Sequence, residues 1–162
     1  MRLANMVPVP ARGTGTMNDE RIRFCTNCGT LFDPVPPDAK PHQERVCPVC
    51  GLGVLLSTGP EMLSRDHQAF LVVLKDLSVS AASEAAVELL GLESANIVGR
   101  PLLSLLDSPF RGSELERRVA RAAAGVGDVS LLRVQAGARR YEVRIGRCGD
   151  PRAALVVFQT PG

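Results

Sequence analysis

Lysine and aromatic residues are scarce in this chain of 162 residues, and its acidic and basic side chains nearly cancel. With no tryptophan and one tyrosine, it offers few surfaces on which a planar cofactor could stack. The 19 basic and 17 acidic residues leave a formal net charge of +2, which argues against a protein that coats nucleic acid through charge. Only Lys40 and Lys75 are lysines, and this scarcity indicates no particular function.

Three kinds of segment are also missing, and each absence excludes a class of protein. No run of about 18 apolar residues occurs, which excludes a membrane-spanning helix. The stretch from Met1 to Met17 has no continuous apolar core, so a secretory signal is not supported and we expect a cytoplasmic location. Either methionine could be the biological start. With two histidines, no glycine-rich phosphate loop and no paired carboxylates, the sequence predicts that the protein is not an enzyme.

The composition changes near residue 60 and divides the chain into three parts. Residues 1–20 predict a flexible tail, because glycine, proline and threonine dominate there. Residues 21–58 are rich in proline, show little apolar periodicity and contain four of the five cysteines. Residues 59–162 have the apolar patterning of an ordinary globular domain, long enough to bury a core.

The four clustered cysteines form two C-x2-C pairs 18 residues apart, Cys25 with Cys28 and Cys47 with Cys50. This spacing is typical of a four-cysteine zinc site. A tetrahedral Zn²⁺ takes thiolates at about 2.3 Å, and a two-residue gap lets both thiolates of a tight turn reach one ion. A glycine follows each pair, which permits positive φ and turns backbone N–H groups toward the sulfurs. Because four cysteines leave no open coordination position, we expect one structural zinc ion per chain.

Other interpretations of the cysteines are weaker. A disulfide framework needs an oxidising compartment, and a thioredoxin-like pair needs a βαβ context; neither is indicated. His42 lies between the pairs and could replace a ligand, but with four cysteines at hand we expect it to be solvated. Cys148 lies far along the chain, and the simplest interpretation is a free thiol near a turn, with its role left open.

Residues 21–58 resemble a zinc ribbon, in which two cysteine knuckles sit on short hairpins. The segment has few large apolar residues, and we expect it to fold only with metal bound. Zinc ribbons bind DNA, RNA or protein, so the resemblance is specific for metal and not for a partner. Acidic residues lie among the basic ones, which favours an ordinary solvated surface over a phosphate-binding one.

Apolar patterning in the last hundred residues predicts five strands and several short helices. The strands are predicted at 69–74, 77–82, 129–136, 140–145 and 153–158. The helices are predicted at 84–90, 101–106 and 112–124. Ser83 stands at the N-cap of the first helix, and Gly91 stands where that helix should stop.

This order of elements resembles a PAS domain over roughly residues 61–160. The residues that carry the resemblance are Phe70-Leu-Val-Val-Leu, Ser83-Glu-Ala-Ala-Val-Glu-Leu-Leu-Gly91-Leu and Ile97-Val-Gly99-Arg100-Pro101-Leu. PAS domains commonly have an asparagine where Ser83 stands, and serine keeps the capping oxygen. The resemblance implies an α+β fold, a five-stranded antiparallel sheet with short helices on one face, with a sensing or dimerising role.

The PAS-like part has no flavin or haem signature. A flavin photosensor of this family would need a cysteine within 92–111, and a haem sensor would carry a histidine on the helix at 112–124; neither is present. His67, before the first strand of this part, is interpreted as a surface residue. We expect a small apolar ligand or a filled core, and the ligand is unknown.

These features predict a non-enzymatic regulatory protein. A PAS-like sensing or dimerising domain would be coupled to a structural zinc ribbon that makes protein contacts. The expected partners are another protein and, through the PAS-like domain, a second copy of the chain, with no membrane involved. The alternative is a zinc-ribbon nucleic-acid-binding transcription accessory protein, which the near-neutral charge of both halves disfavours.

Overall fold

The computed structural model describes residues 21–34, 45–107, 112–149 and 151–159. The predicted tail at 1–20 and His42 lie outside these residues. The strands of the described part are β1 (Ile22–Cys25), β2 (Leu31–Phe32), β3 (Leu55–Thr58), β4 (Phe70–Val73), β5 (Val79–Ala82), β6 (Ser130–Ala136), β7 (Arg139–Gly149) and β8 (Ala153–Gln159). Its helices are α1 (Glu84–Leu90), α2 (Gly112–Ala123) and two 3-10 turns, Ser94–Asn96 and Leu102–Ser104. Among the described residues, no helix has the length and apolarity that crossing a bilayer requires.

All eight strands belong to one antiparallel sheet, with the path β2-β1-β3-β7-β8-β4-β5 and β6 paired to β7. Strands β5, β4, β8, β7 and β6 lie side by side in that order, and the helices pack on one face of them. The predicted α+β class, with a five-stranded antiparallel sheet and short helices on one face, is therefore confirmed. We call residues 59–159 of the described chain the C-terminal module and residues 21–34 and 45–58 the cysteine module.

Strand β7 joins the two modules. Its first seven residues pair with β6, and its end pairs with β3, where Thr58 lies opposite Cys148 and Ser57 opposite Gly149. The hydroxyls of Ser57 and Thr58 also donate to backbone carbonyls of β7, at 2.9 and 2.8 Å. The strands of the cysteine module therefore extend the sheet of the C-terminal module. The predicted boundary between residues 58 and 59 stays a prediction.

The inner face of the sheet, toward the helices, holds the main core. Helix α1 starts where its cap predicts: Ser83 Oγ accepts from the Ala86 N–H at 3.2 Å, and Gly91 closes the helix in the left-handed region. Alternate strand residues pack against α1, α2 and the 3-10 turns. The largest buried side chains of this core are Leu71, Val73, Ile97, Leu102, Leu106, Leu115, Ile145, Val156 and Phe158.

The outer face of the sheet, away from the helices, is covered over β4 and β8 by the cysteine module together with residues 62–63. Phe70 and Leu155 point outward and are fully buried, in one cluster with Phe24 and Leu56. Strands β4 and β8 are thus enclosed on both faces, which is why their sequences are continuously apolar and do not alternate. The few large apolar residues of the cysteine module complete a core that lies mainly in the other module.

Two local predictions differ from the structure. The expected helix at 101–106 is only a 3-10 turn, because Pro101 bridges to Ser78 and Asp107 bridges to Gln135, which keeps both ends extended. The strand expected at 140–145 continues to Gly149, because β8 and β3 pair with its second half. Cys148 therefore lies inside a strand.

Candidate metal centre

One cluster of sulfur atoms brings together the four cysteines that the spacing singled out: Cys25, Cys28, Cys47 and Cys50. Their Sγ atoms all lie within 4.8 Å of one another. The Cys25–Cys50 sulfur distance is 3.6 Å, and the Cys28–Cys47 distance is 3.9 Å. Two thiolates bound at about 2.3 Å to a tetrahedral ion are about 3.8 Å apart. The four cysteines could therefore hold one metal ion in tetrahedral geometry.

Each cysteine pair lies on a turn closed by the glycine that follows it. The Gly29 N–H donates to the Cys25 carbonyl at 3.1 Å, and the Gly51 N–H donates to the Cys47 carbonyl at 2.9 Å. Both glycines have positive φ, +80° and +72°, as the C-x-x-C-G pattern predicts. We call these turns the first knuckle (residues 25–29) and the second knuckle (residues 47–51).

Backbone N–H groups point at three of the four sulfurs. In the first knuckle, the N–H groups of Asn27 and Cys28 donate to Cys25 Sγ at 3.3 and 3.4 Å. In the second knuckle, Cys47 Sγ accepts from Val49 at 3.3 Å. Leu52, just beyond it, donates to Cys50 Sγ at 3.4 Å. Such bonds stabilise negative charge on sulfur and orient each thiolate toward a shared cation.

The thiols differ in their surroundings. Burial raises the pKa of the Cys25 thiol to about 12. The backbone N–H groups of Leu52 and Gly53 are the main cause that lowers the pKa of Cys50 to about 6. A cation among the sulfurs would favour the thiolate at every position, because metal binding displaces the thiol protons.

Gly53 is a close-approach position that the sequence analysis missed. A Cβ at this residue would overlap Cys25 Sγ and would lie 2.7 Å from the Asn27 nitrogen. Glycine is therefore the only residue that lets the strand after the second knuckle pass the first one. The recurrence of glycine three residues after Cys50, in Cys-Gly-Leu-Gly, was the available signal.

The first knuckle also binds the C-terminal module. The Asn27 carbonyl accepts from the Glu84 N–H at 2.7 Å, at the first turn of α1. The Gly29 carbonyl accepts from the His67 N–H at 3.0 Å, and His67 Nδ1 lies 2.7 Å from the Cys28 carbonyl. The Asp66 carboxylate accepts from the Leu31 N–H at 2.7 Å.

His67 is exposed, as predicted, and contacts the metal site through a carbonyl. Among the described residues, the metal-ligating cluster contains cysteines only. The sequence did not indicate that His67 and Asp66 contact the segment that carries the cysteine cluster. They lie more than 30 residues from the first knuckle, and no local pattern marks the pairing.

Cys148 is separate from the cluster. Its side chain is 3% exposed and packs in the outer-face core with Phe24 and Leu155. Burial raises the pKa of this thiol to about 12, although the charge of Arg21 lowers it. Cys148 is thus a protonated core residue, and its geometry adds nothing to the metal site.

The comparisons with known proteins found similarity in solved structures alone. No protein-family model and no curated protein match the chain. The sensor region of a sensor histidine kinase is 24% identical, with a TM-score of 0.46, over 59% of this chain and 39% of that one. The PAS domain of nitrogen regulation protein NR(II) from Vibrio parahaemolyticus is 16% identical, with a TM-score of 0.46, over 58% of this chain and 89% of that one. The PAS domain of histidine kinase ThkA is 18% identical, with a TM-score of 0.44, over 57% of this chain and 98% of that one.

Proposed function

We propose that this protein is a non-enzymatic signalling protein, in which a PAS-like sensing or dimerisation domain is coupled to a structural zinc ribbon that makes protein contacts. The observation that carries the proposal is the hydrogen bond from the Glu84 N–H to the Asn27 carbonyl. It joins the middle of a metal-binding knuckle to the first turn of the helix that packs on the sensory sheet. Through this contact, loss of the metal would affect the start of the helix.

Zinc is the metal that this donor set favours. Four thiolates in tetrahedral geometry suit zinc or iron, and a closed set of four cysteines is typical of a structural zinc site. The sulfur–sulfur distances of 3.6 and 3.9 Å match that geometry. Four protein ligands leave no position for a substrate, which supports a structural role.

The packing supports coupling between the metal site and the sheet. A small segment with a four-cysteine site folds mainly through metal binding. Phe24 and Leu56, which the fold of this segment positions, cover the outer face of β4 and β8. Metal loading should therefore affect how well Phe24 and Leu56 cover this face, to which residues 62–63 of the C-terminal module also contribute. A dimer contact of the PAS-like domain would use another surface, because the cysteine module buries this one.

The exposed surface of the second knuckle favours a protein partner. Four aliphatic side chains around it are solvent-exposed: Val46 at 56%, Val49 at 63%, Leu52 at 79% and Val54 at 47%. Clustered exposed apolar residues mark protein contacts, whereas nucleic-acid contacts rely mainly on basic and polar side chains. The first knuckle faces the C-terminal module, so the second knuckle is the part of the metal site left for a partner.

The proposal is tested on the full chain by native mass spectrometry, elemental analysis and hydrogen exchange. We expect one zinc per chain and a dimer. Cys28→Ser should lose the metal and speed exchange of the Glu84 amide and of the β3–β7 pairing. Val49→Ser is the matched control, because this exposed side chain of the second knuckle is not a ligand, and it should keep the metal and the slow exchange. A metal-free protein with unchanged exchange in α1 would contradict the coupling.

A separate assay distinguishes the nucleic-acid alternative. Binding of duplex DNA or RNA is measured at increasing salt, because phosphate contacts weaken steeply as counterions compete. We expect no salt-sensitive complex at physiological ionic strength. A complex that Leu52→Ser leaves intact and salt dissolves would favour the transcription accessory function over the protein contact.

A further inference from the structure

Three arginine side chains line one cavity at the seam between the modules. Arg21 precedes β1, Arg147 lies near the end of β7, and Arg152 lies in the turn before β8. The cavity has a volume of about 400 Å³, and its other lining residues are Ser57, Gly125, Cys148 and Gly149. The cysteine module contributes Arg21 and Ser57, so the cavity exists only while the two modules are docked.

Within the described residues, most N–H groups of these three guanidinium groups have no hydrogen-bond partner. Arg147 Nη1 donates to the Gly125 carbonyl at 3.1 Å. Arg152 Nη1 and Arg21 Nη2 make only long contacts of 3.5 Å, to the carbonyls of Ala124 and Ser57. Each guanidinium carries five N–H groups. In the described part of the chain, none of the three arginines forms an ion pair with a carboxylate.

Helix capping accounts for part of this arrangement. Arg147 and Arg152 contact the carbonyls just after α2, where positive charge is favourable. Capping does not account for Arg21, which comes from the other module. Three positive charges around one cavity repel one another, and an anion between them would attract all three and offset that repulsion.

We propose that this cavity binds a small phosphate-bearing anion, either inorganic phosphate or the phosphomonoester of a small molecule. The planar fork of a guanidinium matches two phosphate oxygens, and a monoester carries a charge of about −1.5 to −2 at neutral pH. The volume lies within the range of small-molecule sites, about 300–1,000 Å³, so a phosphate leaves room for an attached group. Such a ligand contacts both modules and therefore strengthens their docking.

The test is a calorimetric titration of the metal-loaded full chain at constant ionic strength. The probes are inorganic phosphate, a nucleoside 5′-monophosphate and a single-stranded oligonucleotide. We expect a dissociation constant of about 1 mM or tighter for at least one of the two small probes. Arg21→Gln should weaken binding at least tenfold without touching the carbonyls after α2. Arg140→Gln is the matched control, because it is an exposed arginine at the opposite end of β7.

The three probes separate the sources of the anion. Tighter binding of the monophosphate assigns the site to a phosphorylated small molecule, and equal binding assigns it to phosphate itself. Arg152→Gln provides a second variant with the same expected loss, in case Arg21→Gln alters the fold. The proposal is wrong if neither small probe binds, if both arginine variants bind like the parent, or if the oligonucleotide binds more tightly than the monophosphate.

Discussion

The rings of Phe24 and Phe70 meet edge to face across the boundary between the modules, with centroids 5.2 Å apart and an interplanar angle of 85°. Phe24 lies one residue before Cys25, and Phe70 begins β4. Both rings are fully buried. The backbone that positions a sulfur of the candidate metal centre therefore also positions a side chain that covers the sheet.

Removing one ring of this contact should weaken the docking of the two modules and lower the stability of the protein. Phe24→Ala removes a buried ring and leaves a cavity, which should lower the free energy of unfolding by about 3–5 kcal/mol. Urea unfolding of the metal-loaded protein measures this free energy. Leu103→Ala, at a side chain that is 41% exposed, should cost well under half as much. Equal losses for the two variants would show that the seam contributes no more than the surface.

Gly53→Ala should damage the metal site selectively. The added methyl would overlap Cys25 Sγ, so we expect at least a tenfold loss of metal affinity, about 1.4 kcal/mol or more. Competition with a chelator measures the affinity. Leu52→Ala is the matched control at the neighbouring residue, because the Leu52 side chain is 79% exposed and its loss leaves the backbone around the sulfurs unchanged. If Gly53→Ala binds the metal as tightly as the parent protein, residue 53 does not approach Cys25 Sγ as closely as the structure has it.

Ser83→Ala should destabilise the start of α1 and its junction with β4. The buried Ser83 hydroxyl accepts from the N–H groups of Phe70 and Ala86, at 3.0 and 3.2 Å, and donates to the Gln68 carbonyl at 2.9 Å. Leaving these groups unpaired should lower the free energy of unfolding by about 2–3 kcal/mol, which thermal or urea unfolding measures. Ser104→Ala, at an exposed serine, should cost under about 1 kcal/mol. If Ser83→Ala has the same free energy of unfolding as the parent protein, Ser83 does not have this capping role.

Cys148 should make stability depend on pH in the alkaline range. Its pKa is raised by burial from the ordinary 9.0 to about 12, so the folded state favours the neutral thiol. This contribution is fully present below pH 9 and is lost as the pH rises toward 12. Between pH 9 and pH 11 the free energy of unfolding of the parent protein should fall by about 2–3 kcal/mol more than that of Cys148→Ala. Urea unfolding at each pH measures both values. Parallel pH profiles for the two proteins would contradict this.

Much of the local structure could be predicted because its causes are local. The Ser83 cap, the Gly91 stop and the apolar runs at β4 and β8 each place an element where the structure has it. The two-residue gap puts both sulfurs of each pair on one tight turn, and two such pairs at this separation are typical of one shared metal site, as their Sγ positions allow. The extent of β7 was missed because a strand ends where its partners end, and β3 lies about 90 residues earlier in the chain.

The sequence by itself determined the four-cysteine cluster, the α+β order of elements and the near-neutral charge, since each follows from residue identity and short-range spacing. Only the tertiary structure decided that the two modules share one sheet, that Phe24 covers its outer face and that Arg21, Arg147 and Arg152 line one cavity. The physical reason is that these contacts join residues far apart in the chain. Their free energy comes from burial and shape across the seam, and no periodicity in the sequence records it.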